Sequence, residues 1–305
     1  MSIKTLFLTS IGIVIVAVAW RLYPSRGQLS GAAVTAKTEL SQSASTDIPP
    51  LSSTKTSELH SAQKGDKDYK QRMDRLLPLA IDGSVTAQYE LARTLHYCND
   101  ILHLYFLKKN TDAVRTLEES QRMFEYKLPG NSQDKIADVY ERCHAFFDNQ
   151  SQLQTWNDWL EKSANAGYPP AMFMKADLMR QDNALKADPA ITEKARNLAI
   201  DASSSGNPIA VFGMADFVSN KTQDQAAQLM SAWWLAGCER GYDCGSESEW
   251  IQATCTSDPQ CANKPTVVEE LQRTAGAKFG EVQQLAEKIN AAIDSHDPEA
   301  IKKFL

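Results

Sequence analysis

The chain has 305 residues, of which 43% are hydrophobic and 23% charged, with six cysteines and a net charge of −6. Such a composition excludes collagen-like, coiled-coil and wholly disordered classes. With 32 Lys+Arg against 38 Asp+Glu there is no basic excess, which argues against a nucleic-acid partner.

In chain order, the first element is a stretch of sixteen uncharged residues between Lys4 and Arg21. It falls somewhat short of a spanning helix and close to the apolar region of a signal peptide. Ala17-Val18-Ala19 fits the small-x-small pattern of a cleavage site. Trp20 and Arg21 would make an awkward mature start, so an uncleaved anchor over residues 5–20 ranks slightly ahead of cleavage near Ala19. Positive charge barely orients the segment, with Lys4 on one side and Arg21 and Arg26 on the other. Residues 22–70 form a Ser/Thr-rich spacer. From Pro24 to Asp68 there is no Phe, Trp or Tyr, so the stretch cannot bury enough apolar surface to offset its ordering entropy.

The cysteines settle the orientation. None precedes Cys98, and all six (Cys98, Cys143, Cys238, Cys244, Cys255 and Cys261) lie in the body. An even number beyond an export signal fits disulfides in an oxidising compartment, here a bacterial periplasm. Zinc is the rival, but no CxxC occurs and the spacings match no common zinc knuckle.

From about Tyr69 the apolar residues recur at three and four, as in Leu76, Leu77, Leu79 and Ala80, and later Leu229, Trp233 and Leu235. Alternating runs are missing, so the fold class is all-α. Within the body, Gly83, Gly167, Gly206 and Gly241 act as anchors of an internal pattern. Four residues after them stand Ala87, Ala171, Ala210 and Gly245. Three before stand Ala80, Ala164, Ser203 and Cys238. Nine after, the first three give Ala92, Ala176 and Ala215, and the fourth gives Trp250. Six after are Tyr89, Phe173 and Phe212, with Glu247 departing. Eight before are Arg75, Trp159, Leu198 and Trp233. Glycine past a helix end takes the left-handed conformation that reverses the chain, and small flanking residues let two helices approach. The pattern predicts helical hairpins whose apolar faces are covered by neighbouring hairpins.

The run Trp159 to Leu178 (WLEKSANAGYPPAMFMKADL) resembles a Sel1-like repeat, a relative of the tetratricopeptide repeat. Ala202 to Ala215 is similar to a second copy, Ala80 to Ala92 to a third, and the Gly241 copy is degenerate. Alanine stands where the family usually has glycine at Ala92, Ala176 and Ala215, and the G-x-G-V loop is missing. The resemblance implies an αα-hairpin solenoid over residues 71–262, with an insert near 98–150. By analogy with cysteine-rich members, a Cys238–Cys244 bridge would staple the hairpin at Gly241. Cys255–Cys261 and Cys98–Cys143 complete the expected pairing. Residues 263–305 are expected to cap the array, with a long amphipathic helix from Thr266 to Ile293 opened by a Thr-x-x-Glu capping box and a short last helix starting at Asp297-Pro298.

No catalytic constellation stands in the sequence. Cys143 and His144 are adjacent, so on a helix they point about 100° apart. His96, His103 and His144 lack a close i, i+4 pair, and no metal or cofactor is expected. Trp159 and Trp233 share a packing offset and read as core. Trp156, Trp234 and Trp250 are left over as candidate partner-binding residues. The sequence therefore points to a non-catalytic, protein-binding scaffold in the bacterial envelope, tethered to the inner membrane or secreted, whose partner is another envelope protein. A cell-envelope hydrolase or cell-wall-binding module is the alternative.

Overall fold

The computed structural model describes residues 69–101, 141–146, 150–184, 186–219, 221–254 and 265–305, all within one compact unit spanning residues 64–305. The expected anchor, the spacer up to residue 68, most of the insert, His103, Cys255 and Cys261 lie outside the described residues, and the first helix begins at Tyr69, inside the expected end of the spacer at residue 70. Among the described residues there is no strand, and the fold is all-α.

The helices are α1 (Tyr69–Ile81), α2 (Val85–Ile101), the short α3 (Gln150–Leu153), α4 (Trp156–Asn165), α5 (Pro169–Asn183), α6 (Pro189–Ser204) and α7 (Pro208–Gly213). They continue with α8 (Gln223–Glu239), α9 (Glu249–Thr254), α10 (Val267–Ala275), α11 (Phe279–Asp294) and α12 (Pro298–Lys302). The starts follow from capping. Asp188 and Asn207 accept hydrogen bonds from the first helical N–H groups, each with proline at the position where a missing N–H costs nothing. Thr222 with Gln225, and Thr266 with Glu269, close reciprocal capping boxes.

The reversals follow from glycine. Gly83, Gly167, Gly206 and Gly241 all have positive φ, between 73° and 98°. At Gly83, Gly167 and Gly241 the glycine N–H and the N–H after it bond back to carbonyls three and five residues earlier, as in Gly167→Ala164 (3.0 Å) and Tyr168→Ser163 (3.2 Å). This closure satisfies carbonyls that a helix end would otherwise leave orphaned. At Gly206 the second bond is replaced, because the Ser205 hydroxyl accepts from Asn207 N–H.

Consecutive long helices then pack in chain order: α1 on α2, α2 on α4, α4 on α5, α5 on α6, α6 on α7 and α7 on α8. The small residues flanking the first three turns sit at these contacts. Ala80, Ala87, Ala92, Ala171, Ala176, Ser203, Ala210 and Ala215 are all essentially inaccessible. The position eight before each glycine is less uniform. Trp233 is fully buried, Trp159 and Leu198 are half-buried, and Arg75 is exposed. Trp159 is thus not the core residue that its offset predicts. Its ring carries the Lys162 ammonium 4.3 Å from the centroid, so a polar partner and water share its outer face. The Gly241 turn departs as well: Gly245 is exposed, and only the short α9 follows.

The first hairpin also encloses charge. Arg72 on α1 donates to the Glu90 carboxylate on α2 at 2.6 Å, with both side chains almost fully buried. Gln88 Nε2 crosses back to the Ala80 carbonyl at 3.0 Å.

The C-terminal segment interrupts the serial order. α11 lies along α8, and α12 reaches back to α6. The Trp233 indole N–H donates to the Phe304 carbonyl at 3.1 Å. The expected long helix from Thr266 to Ile293 is two helices, α10 and α11, because Gly276 turns with φ 53° into a 3₁₀ turn. Thr266 caps the first as expected, and Asp297 caps α12 with Pro298 as its first residue.

Candidate functional site

The turn after α8 gathers Cys238, Gly241, Cys244, Trp234 and Trp250 of the residues that the sequence marks out. Arg240, the last residue before Gly241, donates to the Asn290 side chain (2.6 Å), the Asn290 carbonyl (3.1 Å) and Asp294 (2.5 Å) on α11. Its guanidinium passes over Gly206, where a Cβ would stand 2.7 Å from a guanidinium nitrogen. The positive φ of 73° is what favours glycine there, while the arginine head could shift to admit a Cβ.

Beyond Gly241 the chain is fixed by the Cys238–Cys244 disulfide, Cα atoms 5.6 Å apart, across the turn. The Cys244 carbonyl accepts from Val267 N–H at the start of α10. Tyr242, held inside this closed loop, stacks on Phe212 of α7 with ring centroids 3.9 Å apart and planes 13° apart. Trp234 of α8 and Trp250 of α9 meet edge to face at 5.0 Å, each within about the same reach of Phe212 (6.3 and 6.4 Å). Phe212 is buried, whereas Tyr242, Trp234 and Trp250 are only half-buried. The approach of α8 to α7 beneath them depends on Gly237. A Cβ there would lie 2.6 to 2.9 Å from the Phe212 Cβ, Cα and backbone nitrogen. The result is a partly open aromatic face held by one disulfide and one close helix contact. Aromatic rings of this kind offer large contact area at small entropic cost.

Trp156 belongs elsewhere. It packs beside the first two hairpins, and its ring stands edge-on to His96 of α2 at 4.4 Å. Burial pushes the His96 imidazole below its ordinary pKa, while Asp100, Asp177 and Asp182 pull it upward. His96 Nδ1 lies 3.5 Å from an Asp100 oxygen. His144 stands apart on an exposed 3₁₀ turn, with Nδ1 3.1 Å from the Glu141 carbonyl oxygen. Trp234 and Trp250 thus stand together, Trp156 stands with His96, and His144 is separate from both. Among the described residues no cluster of three or more His, Cys, Asp or Glu stands in metal-holding geometry.

Cys98 and Cys143 are bonded with Cα atoms 5.4 Å apart, and both are fully buried beside Phe146. Disulfides at Cys98–Cys143 and Cys238–Cys244 point to an oxidising compartment outside the cytoplasm. Among the described residues no helix is long and apolar enough to cross a membrane.

Two features carry no sequence signal. Asp216, on the 3₁₀ turn after α7, has its carboxyl pushed up to about 6 by burial, with Asp177 adding to the shift and Arg180 opposing it. Separately, α1, α2, α3 and α4 enclose a groove of about 280 Å³. Met73, Leu77, Leu91 and Leu95 line it with apolar surface, Trp159 stands at its side, and Gln152 enters from α3.

No family profile, curated protein or solved structure matches the chain.

Proposed function

We propose that the chain is a protein-binding scaffold of the bacterial envelope, built from Sel1-like helical hairpins stacked into a solenoid. On this reading residues 5–20 anchor it to the inner membrane or are removed near Ala19. The spacer holds the body off the bilayer, and the partner is another envelope protein. The two disulfides support a periplasmic placement, since thiols in the cytoplasm are kept reduced. The serial packing of helices and the glycine closures support the stacked-hairpin reading.

The observation that carries the binding role is the half-buried Trp234–Trp250 pair, backed by Phe212 and Tyr242. A monomer gains by burying such rings completely. Rings left partly open on a disulfide-fixed frame are pre-organised for a second surface. Capture experiments with the full chain in solubilised envelope extract test this, using wild type, Trp234→Ala and Trp250→Ala. A defined partner that is retained by wild type and lost with both variants, at unchanged helical content, is the expected result. Equal retention by all three chains overturns the role of this face.

A further inference from the structure

We propose that the aromatic face around Trp234 and Trp250 takes a basic segment of its partner, with an arginine side chain laid against the two indoles. The inference rests on the protein-binding reading above and names the chemistry that this face recognises.

Two observations carry it. The first concerns where the chain places its own cations. Aromatic rings elsewhere in the body hold one close by: Arg72 and Arg142 stand over Tyr69 (5.7 Å each), Lys162 over Trp159 (4.3 Å) and Arg180 over Phe217 (5.5 Å). Among the described residues no lysine or arginine stands over Trp234 or Trp250, although both rings keep solvent-accessible surface and meet at 61°. Indole is the ring whose face attracts a cation most strongly.

The second is charge. The helices around these rings, α7, α8, α9 and α10, carry one basic residue, Arg273, and Glu270 holds it at 2.6 Å. Arg240 at the end of α8 is likewise bound to Asn290 and Asp294 on α11. Negative charge, by contrast, is plentiful. Asp243 follows Tyr242 directly and Glu247 precedes Trp250 by three residues, and both are exposed. Glu269 is exposed in the first turn of α10, whose start is tied to the same loop by the bond from Val267 N–H to the Cys244 carbonyl. Between Gly241 and Asn263 the sequence has Asp243, Glu247, Glu249 and Asp258 and no lysine or arginine. Such a field draws cations to the face. The indoles then give a planar guanidinium a surface to lie on, which a compact ammonium uses less well. An anionic segment would meet the carboxylates, and a purely apolar one would leave them unmatched.

The test uses the full chain in non-ionic detergent, with acetyl-Gly-Arg-Gly-Arg-Gly-amide as probe. A second peptide carries citrulline, neutral and nearly isosteric, in place of arginine. Binding is followed by NMR of the indole N–H groups, with Trp234→Phe and Trp250→Phe assigning the two signals. The expected result is saturable binding in the millimolar range that shifts the indoles of Trp234 and Trp250. Trp233, whose N–H is bonded to the Phe304 carbonyl, should stay in place. The citrulline peptide should bind about 2- to 5-fold more weakly, the range of one exposed cation–π contact. Asp243→Asn/Glu247→Gln, or added salt, should weaken the arginine peptide and not the citrulline one. Equal binding of the two peptides, shifts centred on other tryptophans, or no saturable shift overturns the basic occupant. Arginine binding that persists in Trp250→Ala overturns it too, since the acids alone would then suffice. The citrulline comparison is read on wild type and stands even if a variant fails to fold. A partner lost with Trp234→Ala and Trp250→Ala but kept by Asp243→Asn/Glu247→Gln, with no arginine selectivity, sinks this inference and leaves the scaffold role standing. Arginine-selective binding with no envelope protein captured does the reverse.

Discussion

The two disulfides should differ sharply in what they contribute, and the difference follows from the chain between them. Cys98 and Cys143 are separated by 45 residues, Cys238 and Cys244 by six. Closing a loop removes entropy from the unfolded chain in proportion to the logarithm of its length, which gives about 4 kcal/mol for the first bridge and about 2 kcal/mol for the second. Packing widens the gap: Cys98 and Cys143 are fully buried, whereas Cys238 and Cys244 are half-buried, so truncating the former pair also leaves a cavity. The assay is urea unfolding of two double variants, Cys98→Ala/Cys143→Ala and Cys238→Ala/Cys244→Ala, followed by circular dichroism. The first should lose at least about 2 kcal/mol more than the second. On titration with dithiothreitol the half-buried short-loop bridge should open before the fully buried one. Equal losses, or a larger loss for the Cys238–Cys244 variant, would refute the reasoning.

Other expectations concern buried groups. Glu90→Gln leaves the Arg72 guanidinium buried without its carboxylate and should cost about 3–5 kcal/mol, Arg72→Met should cost less because Arg93 stands 3.9 Å from the same Glu90 oxygen, and Arg72→Met/Glu90→Met together should cost less than Glu90→Gln alone in the same urea assay. Gly237→Ala gains roughly 1 kcal/mol of helix propensity but drives a Cβ into the Phe212 backbone. A net loss of about 1–2 kcal/mol is expected from overpacking, and a rise in melting temperature would contradict the close α7–α8 approach. Asp216 has a raised pKa in the fold, so the native state binds its proton more tightly than the unfolded chain does. Its contribution is present at low pH and is lost as pH rises from about 4 through about 6. Asp216→Asn should therefore stabilise the protein at pH 7 and flatten that fall, as read from melting temperatures between pH 4 and 8.

Much of the helical punctuation is legible in the sequence. Gly83, Gly167, Gly206 and Gly241 are visible because only glycine takes a left-handed turn without penalty. Thr266 and Asp297 are visible because caps need a short side-chain acceptor at one fixed offset. Gly276 was not. A single glycine inside a good periodic pattern is tolerated in a helix, and nothing local separates tolerance from a break. Trp159 was misplaced because the offset from a glycine fixes which side of a helix a residue occupies, not whether anything covers that side. The aromatic face was half visible: Trp234 and Trp250 stood out, whereas Phe212 and Tyr242 join them only through the close approach at Gly237 and the disulfide loop. The groove leaves no trace in the sequence, since its walls come from residues 73 to 162, which no local pattern links.

The reach of α11 and α12 back across α8 and α6 has a consequence for how the chain acquires its shape. The long helices before α10 pack mainly on the long helix next in the chain, so each hairpin can form once its predecessor and any insert between them have been made. The bonds from Trp233 to Phe304 and from His296 to Ser204 span 71 and 92 residues and can form only when the last helices emerge. Loop-closure entropy makes such contacts the slow ones. Until then the indole of Trp233 and the inner face of α8 stay uncovered. The interval between making α8 and making α12 is therefore when the newly made chain is most exposed to aggregation and proteolysis, and when a chaperone of the compartment would find it.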